Sequence, residues 1–318
     1  TAFRRIFPRK SFRWMLISAL TISVLSFGLS RIDFVDQQAF NESVISKSLA
    51  YRYNFQLPKS KYYEKANHHR YYNVDISIAK KKELDDGDEY VLLIDGEVIA
   101  KNIFSKKLKN FVSGINEAER QRAGAKMSID ENVELAFVEK VNMLLSSAGI
   151  TMVYYMVAPV HTEYDIRYYK HQSISKRLPD YLMWEHFEPM LPSCDSATVE
   201  DIVIRFSEEE KIVDFKGETV SFEDEVWKEW YYTNPNNIVI FCKTGKMSYG
   251  NYIAVLATLK LMHLEAKDMY AQKIFHETFI NLNYEQQREI SKKYPFRFLD
   301  ESSIPWPGIF ELNEILWK

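Results

Sequence analysis

Cysteine is almost absent from this chain of 318 residues: Cys194 and Cys242 are the only two, too few for a disulfide framework or a cysteine-based zinc site. Within its apolar run Cys242 reads most simply as a buried thiol, and only an oxidising compartment would let the two pair. Glycine and proline are also scarce, ten of each, which excludes collagen-like and low-complexity chains. Neither sign of charge dominates: 41 Lys and Arg are interspersed with 44 Asp and Glu, so the basic footprint of a nucleic-acid binder is missing. No Gly-rich phosphate or dinucleotide loop, Gly-x-Ser-x-Gly elbow or His-Glu-x-x-His occurs, and His276-Glu277 lacks a second histidine. The sequence therefore supports no catalytic, cofactor-binding or metal site, and predicts a protein that is not an enzyme.

Apolar residues make up 46% of the chain and aromatics 14%, enough to bury real cores. At about 100 to 200 residues per domain, the length predicts two folded units.

The run Trp14 to Ser30 carries no ionisable side chain and, at about 1.5 Å per residue, just reaches the lower limit of a membrane-spanning helix. Arg4, Arg5, Arg9, Lys10 and Arg13 precede it, whereas Arg31, Asp33 and Asp36 follow. This Lys/Arg excess predicts a cytoplasmic tail over 1–13, a transmembrane helix over 14–31 and the bulk of the chain across the membrane. A cleaved signal begins the same way, but no Ala-x-Ala-like cleavage site follows, and Trp14 sits where an interfacial aromatic belongs.

Residues 32–73 read as a polar spacer. Its pair His68-His69 would point to opposite sides of a strand, with no neighbouring carboxylate or cysteine to complete a ligand set. Val74 to Ile78 and Tyr90 to Ile94 then read as a hairpin ending at Asp95-Gly96. A helix through Phe104, Leu108 and Val112, a strand near Lys126 to Ile129, a helix from Val133 to Leu145 stopped by Gly149, and a strand over Ile150 to Val157 complete a ββαβαβ order.

The same order returns after a linker over 161–198. Ile202 to Phe206 and Lys211 to Phe215 form the second hairpin, whose Gly217-Glu218 answers Gly96-Glu97, 121 residues earlier. A helix with Phe222, Val226 and Trp230, a strand from Ile238 to Cys242 and a helix from Ser248 through Leu261 follow. Glu223, Asp224 and Glu225 open the first of these helices and read as capping groups favoured by its dipole. The Trp227, Trp230, Tyr231, Tyr232 cluster reads as packing. A closing strand is not visible after Leu261; Leu264 to Ile280 reads as a continuing amphipathic helix, and the tail Pro305 to Lys318 as a flap over the second core.

Phe215 to Glu225, Asn234-Pro235-Asn236-Asn237-Ile238-Val239-Ile240 and Lys243 to Asn251, with its Tyr249-Gly250, resemble the periplasmic domain of the ExbD/TolR family. Asp130 and Ala148-Gly149-Ile150 in the first copy are similar to the family's turn and closing segment. The resemblance implies an α+β fold class: one N-terminal transmembrane helix followed by two ExbD/TolR-like ββαβαβ two-layer domains, over 74–160 and 199–318. It further implies an inner-membrane subunit of a proton-motive-force-driven motor. Its partners would be an ExbB/TolQ-like channel, a second ExbD-like chain, and a TonB-like protein or peptidoglycan.

The membrane segment departs from that family. An intramembrane carboxylate is needed for proton relay, yet the alignment sets Arg13, which does not deprotonate, at the family's aspartate. The expectation is an accessory subunit that does not carry the proton, with an envelope scaffold binding peptidoglycan or a partner protein as the alternative.

Overall fold

Two tight turns with the same backbone stand at equivalent points in the two halves of the fold. Asp95 and Gly96 have φ of 51° and 82°, and Lys216 and Gly217 have φ of 50° and 77°, so each pair occupies the left-handed region twice in succession. That is the signature of a type I′ turn, whose twist matches the strands it joins. Around each turn the same succession of elements is built.

The structure is a computed structural model, and the residues it describes are 53, 55–65, 72–80, 90–160, 172–178, 201–207, 211–234 and 237–300. They all lie within one compact unit. The anchor over 14–31, the basic residues Arg4, Arg5, Arg9, Lys10 and Arg13, the His68-His69 pair, Cys194 and the tail over 301–318 fall outside them. Among the described residues no helix is long and apolar enough to cross a membrane.

In the first half, β3 (Tyr72–Lys80), β4 (Tyr90–Ile94) and β5 (Glu97–Ile99) form an antiparallel meander. Helix α1 (Lys101–Ser113) buries Phe104, Leu108 and Val112, the i, i+4, i+8 stripe expected of a helix lying on a sheet. β6 (Ala123–Ile129) then returns parallel to β3, α2 (Leu135–Ser147) follows, and β7 (Met152–Met156) pairs parallel to β6. Gly149, at φ of 88°, ends α2: its N–H and that of Ile150 donate to Ser146 and Leu145, satisfying carbonyls the helix leaves open.

The second half repeats this with β10 (Ile202–Phe206), β11 (Lys211–Phe215), β12 (Glu218–Ser221), α3 (Glu225–Thr233), β13 (Val239–Lys243), α4 (Tyr249–Phe275), α5 (Tyr284–Lys293) and β14 (Phe298–Leu299). Its strand order, β12-β11-β10-β13-β14, is that of β5-β4-β3-β6-β7 in the first sheet. Asp224 caps α3 by accepting from the Val226 amide at 3.0 Å.

The protein is thus a mixed α/β structure with several sheets, and four features differ from the sequence expectation. Each half opens with three strands, because the residues just after each Gly-Glu turn add a short edge strand. The closing strand of the second half exists as β14, parallel to β13. Two residues carry no readable periodicity, and the rest of α4 and all of α5 stand between Leu261 and them. The range 161–198 is more than a linker: β9 (Gln172–Arg177) adds antiparallel to β7. The spacer contributes too, with β2 (Glu64–Lys65) on β9, and β1 (Lys59–Ser60) pairing with β8 (Ala158–Pro159). One buried apolar cluster runs through both halves, from Val74 to Met262.

Candidate functional site

The halves meet where their second helices begin. Glu134 precedes α2 and Ser248 precedes α4, positions 114 residues apart that are equivalent in the repeat, and the two form an antiparallel bridge with each other. The Leu135 amide donates to the Met247 carbonyl at 2.8 Å, and the equivalent Tyr249 amide donates to the Val133 carbonyl at 2.7 Å. Reciprocal bonds between equivalent atoms define a local two-fold axis through this point. Asp130 holds the first copy of the turn: its buried carboxylate accepts from the Gln56 amide at 2.6 Å and the Asn132 amide at 2.9 Å. Gly250, in the first turn of α4, donates to the Glu131 carbonyl at 2.9 Å. A Cβ there would lie 3.1 Å from both the Cβ and the carbonyl oxygen of Glu131, so any larger residue would press on Glu131.

Among the described residues three lysine–carboxylate pairs cross the seam. Lys243 at the end of β13 meets Glu139 of α2 at 2.7 Å, and Lys260 of α4 meets Glu64 of β2 at 2.8 Å. The third joins Lys176 of β9 to Asp300 just after β14, with both side chains buried. Tyr252 also donates its hydroxyl to Asp300 at 2.7 Å, while the Lys176 ammonium lies 5.7 Å from the Tyr252 ring centroid. Burial, with the Asp300 charge beside it, pushes the Tyr252 phenol well above its ordinary value, so it stays a donor. Tyr155 packs edge-on against both Tyr249 and Tyr252, and its oxygen accepts from Asn142 Nδ2 at 2.8 Å.

Beside the Lys260 pair the seam opens into a cleft of about 170 Å³, lined by Tyr62, Glu64, Lys260, His263, Leu264, Lys267, Phe279 and Phe296. Glu64 is its polar hub, accepting from Tyr62 at 2.8 Å, Ser175 at 2.6 Å and Lys260 at 2.8 Å. Burial alone would raise the Glu64 carboxyl, but Lys260 and these hydrogen bonds outweigh it and hold the group below its usual range. His263, 5% exposed, bonds the Tyr231 hydroxyl at 2.9 Å through Nδ1 and the Tyr294 carbonyl at 3.1 Å through Nε2. Burial, reinforced by the Lys267 charge, pushes its pKa down to about 4. It is therefore neutral at physiological pH, with Nε2 carrying the proton toward the carbonyl and Nδ1 accepting from Tyr231.

Of the residues singled out in the sequence, Cys242 is described, and it is not a free thiol: it is disulfide-bonded. Burial in an apolar strand does not distinguish the two states, which is why the run around it suggested a thiol. Trp227 and Tyr231 are buried, with the Trp227 indole donating to the Phe222 carbonyl at 3.0 Å. Lys176, Asp300, Glu64, Lys260, His263 and Lys267 were not foreseen. Their partners lie far off in the chain, 196 positions apart for Glu64 and Lys260, and leave no local pattern. Among the described residues no group of three His, Cys, Asp or Glu side chains could hold a metal ion. No family model, curated protein or solved structure matches this chain.

Proposed function

We propose that this chain is an ExbD/TolR-like accessory subunit of a proton-motive-force-driven motor of the TonB/Tol type, anchored in the inner membrane by one helix with its bulk in the periplasm. The observation that carries this reading is the repeated strand–helix order of the two halves, found on the same residues that resemble the family's periplasmic domain. The disulfide at Cys242 supports an oxidising compartment, as the periplasm is. With Arg13 where the family's aspartate belongs, the anchor attaches and packs, and another chain handles the proton. The test is gentle extraction of the native protein from its membrane. Co-purification with a multispan ExbB/TolQ-like channel subunit is expected, and recovery as a free monomer would sink the idea.

A second reading is an envelope scaffold, favoured by the outer edges of β5 and β12, which carry no further strand among the described residues. An extended segment of a partner could add there through main-chain hydrogen bonds. Purification with an extended partner segment and no channel subunit would favour it.

A further inference from the structure

The cleft beside Glu64 is unbalanced in charge. Lys260 and Glu64 neutralise one another, and His263 is neutral, which leaves Lys267. Among the described residues no carboxylate lies within ion-pair distance of the Lys267 ammonium; it reaches the Ser291 hydroxyl at 3.4 Å and lies 5.3 Å from the Phe279 ring centroid. The acids nearest to it along α4 are engaged elsewhere. Asp268 accepts from the Phe279 amide at 2.7 Å, and Glu265 accepts from Tyr232. A half-buried ammonium without a counter-ion is costly, and burial with the repulsion of Lys260 lowers the Lys267 pKa.

Size and lining narrow what would relieve it. At about 170 Å³ the cleft is smaller than the ~300 Å³ or more of ordinary metabolite pockets, and holds about as much as five or six waters at ~30 Å³ each. A doubly charged phosphate would overshoot a single spare positive charge and face Glu64 across the cleft. Phe279 and Phe296 supply apolar walls.

We propose that this cleft binds a single carboxylate on a short apolar stem, with Lys267 as its counter-ion and Phe279 and Phe296 against the stem. The group could be a small free acid or the C-terminal end of a peptide. The proposal is independent of the motor reading.

Saturation-transfer NMR on the detergent-solubilised full chain tests it, with sodium propionate as the probe and propionamide as its neutral counterpart. Propionate binds saturably and propionamide at least about tenfold more weakly, as loss of a charge-assisted hydrogen bond implies. Lys267→Met abolishes the propionate signal, Lys267→Arg retains it, and Lys267→Met keeps a melting temperature at or above that of the unaltered protein. Tri-alanine with a free or an amidated C-terminus separates the two sources: binding of the free form alone identifies a chain end as a ligand, and failure of both alongside propionate binding identifies small acids. Absence of saturable propionate and tri-alanine binding, equal binding of propionamide, or a folded Lys267→Met that still binds overturns the proposal. If Lys267→Met does not fold, the propionate–propionamide comparison on the unaltered chain decides by itself.

Discussion

Lys176 and Asp300, 124 positions apart in the chain, form a buried ion pair that joins a strand of the first sheet to the end of the second. Neither charge can turn to water, so each depends on the other and on Tyr252. Replacing Asp300 by Asn or Lys176 by Met alone removes one side of this buried pair and is expected to cost about 3–5 kcal/mol in urea unfolding. The double variant Lys176→Met/Asp300→Leu removes both charges and should recover most of that loss. A double variant no more stable than either single would refute the coupling.

Acid should loosen the region around α4. His263 has a folded pKa of about 4, below the unfolded value near 6.5, so between these values the unfolded chain binds the extra proton. Stability is full above pH 6.5, falls as the pH drops toward 4, and loses about 3 kcal/mol from this group across the window. Glu64, held below its usual range, adds a loss further down as its carboxylate protonates. Denaturant midpoints measured from pH 7.5 to 4 check this, and His263→Gln should flatten the curve between pH 6.5 and 4.

Glycine inside a helix ordinarily costs about 1 kcal/mol relative to alanine, so Gly→Ala in a helix is usually stabilising. Gly250→Ala should behave oppositely, lowering stability by about 1–3 kcal/mol through contact with Glu131. A raised melting temperature for this variant would show that the seam has room to give.

The chain has two cysteines, so Cys194 is the expected partner of the disulfide at Cys242. Peptide mapping without reductant should yield that single cross-linked pair. Closing a loop of roughly 48 residues is worth about 4 kcal/mol in the chain-entropy account, so reduction should lower the melting temperature measurably. A melting temperature unmoved by reductant would mean that the bond constrains little of the unfolded chain.

What could be read in advance followed from periodicity and turn chemistry. Phe104, Leu108 and Val112 announce α1, Gly149 announces the end of α2, and Gly96 and Gly217 announce the paired turns. Strands that owe their existence to a neighbour could not be read: Phe298–Leu299 pairs because β13 offers a free edge, and Gln172–Arg177 because β7 does. The site was less legible still. His263 on a helix face is an ordinary residue until Tyr231 and Tyr294 close around it, and Lys267 is one of many lysines until its helix is packed.

The bridge between Glu134 and Ser248 is a contact that two separate copies of such a domain would have to find by diffusion. Here one polypeptide supplies both sides, so its formation is unimolecular and indifferent to protein concentration. Freed from self-matching, the two sides could drift apart, one extending its second helix to 27 residues and the other enlarging its sheet to seven strands. The cleft with Lys267 lies on the lengthened helix, in a place the shorter one cannot reproduce.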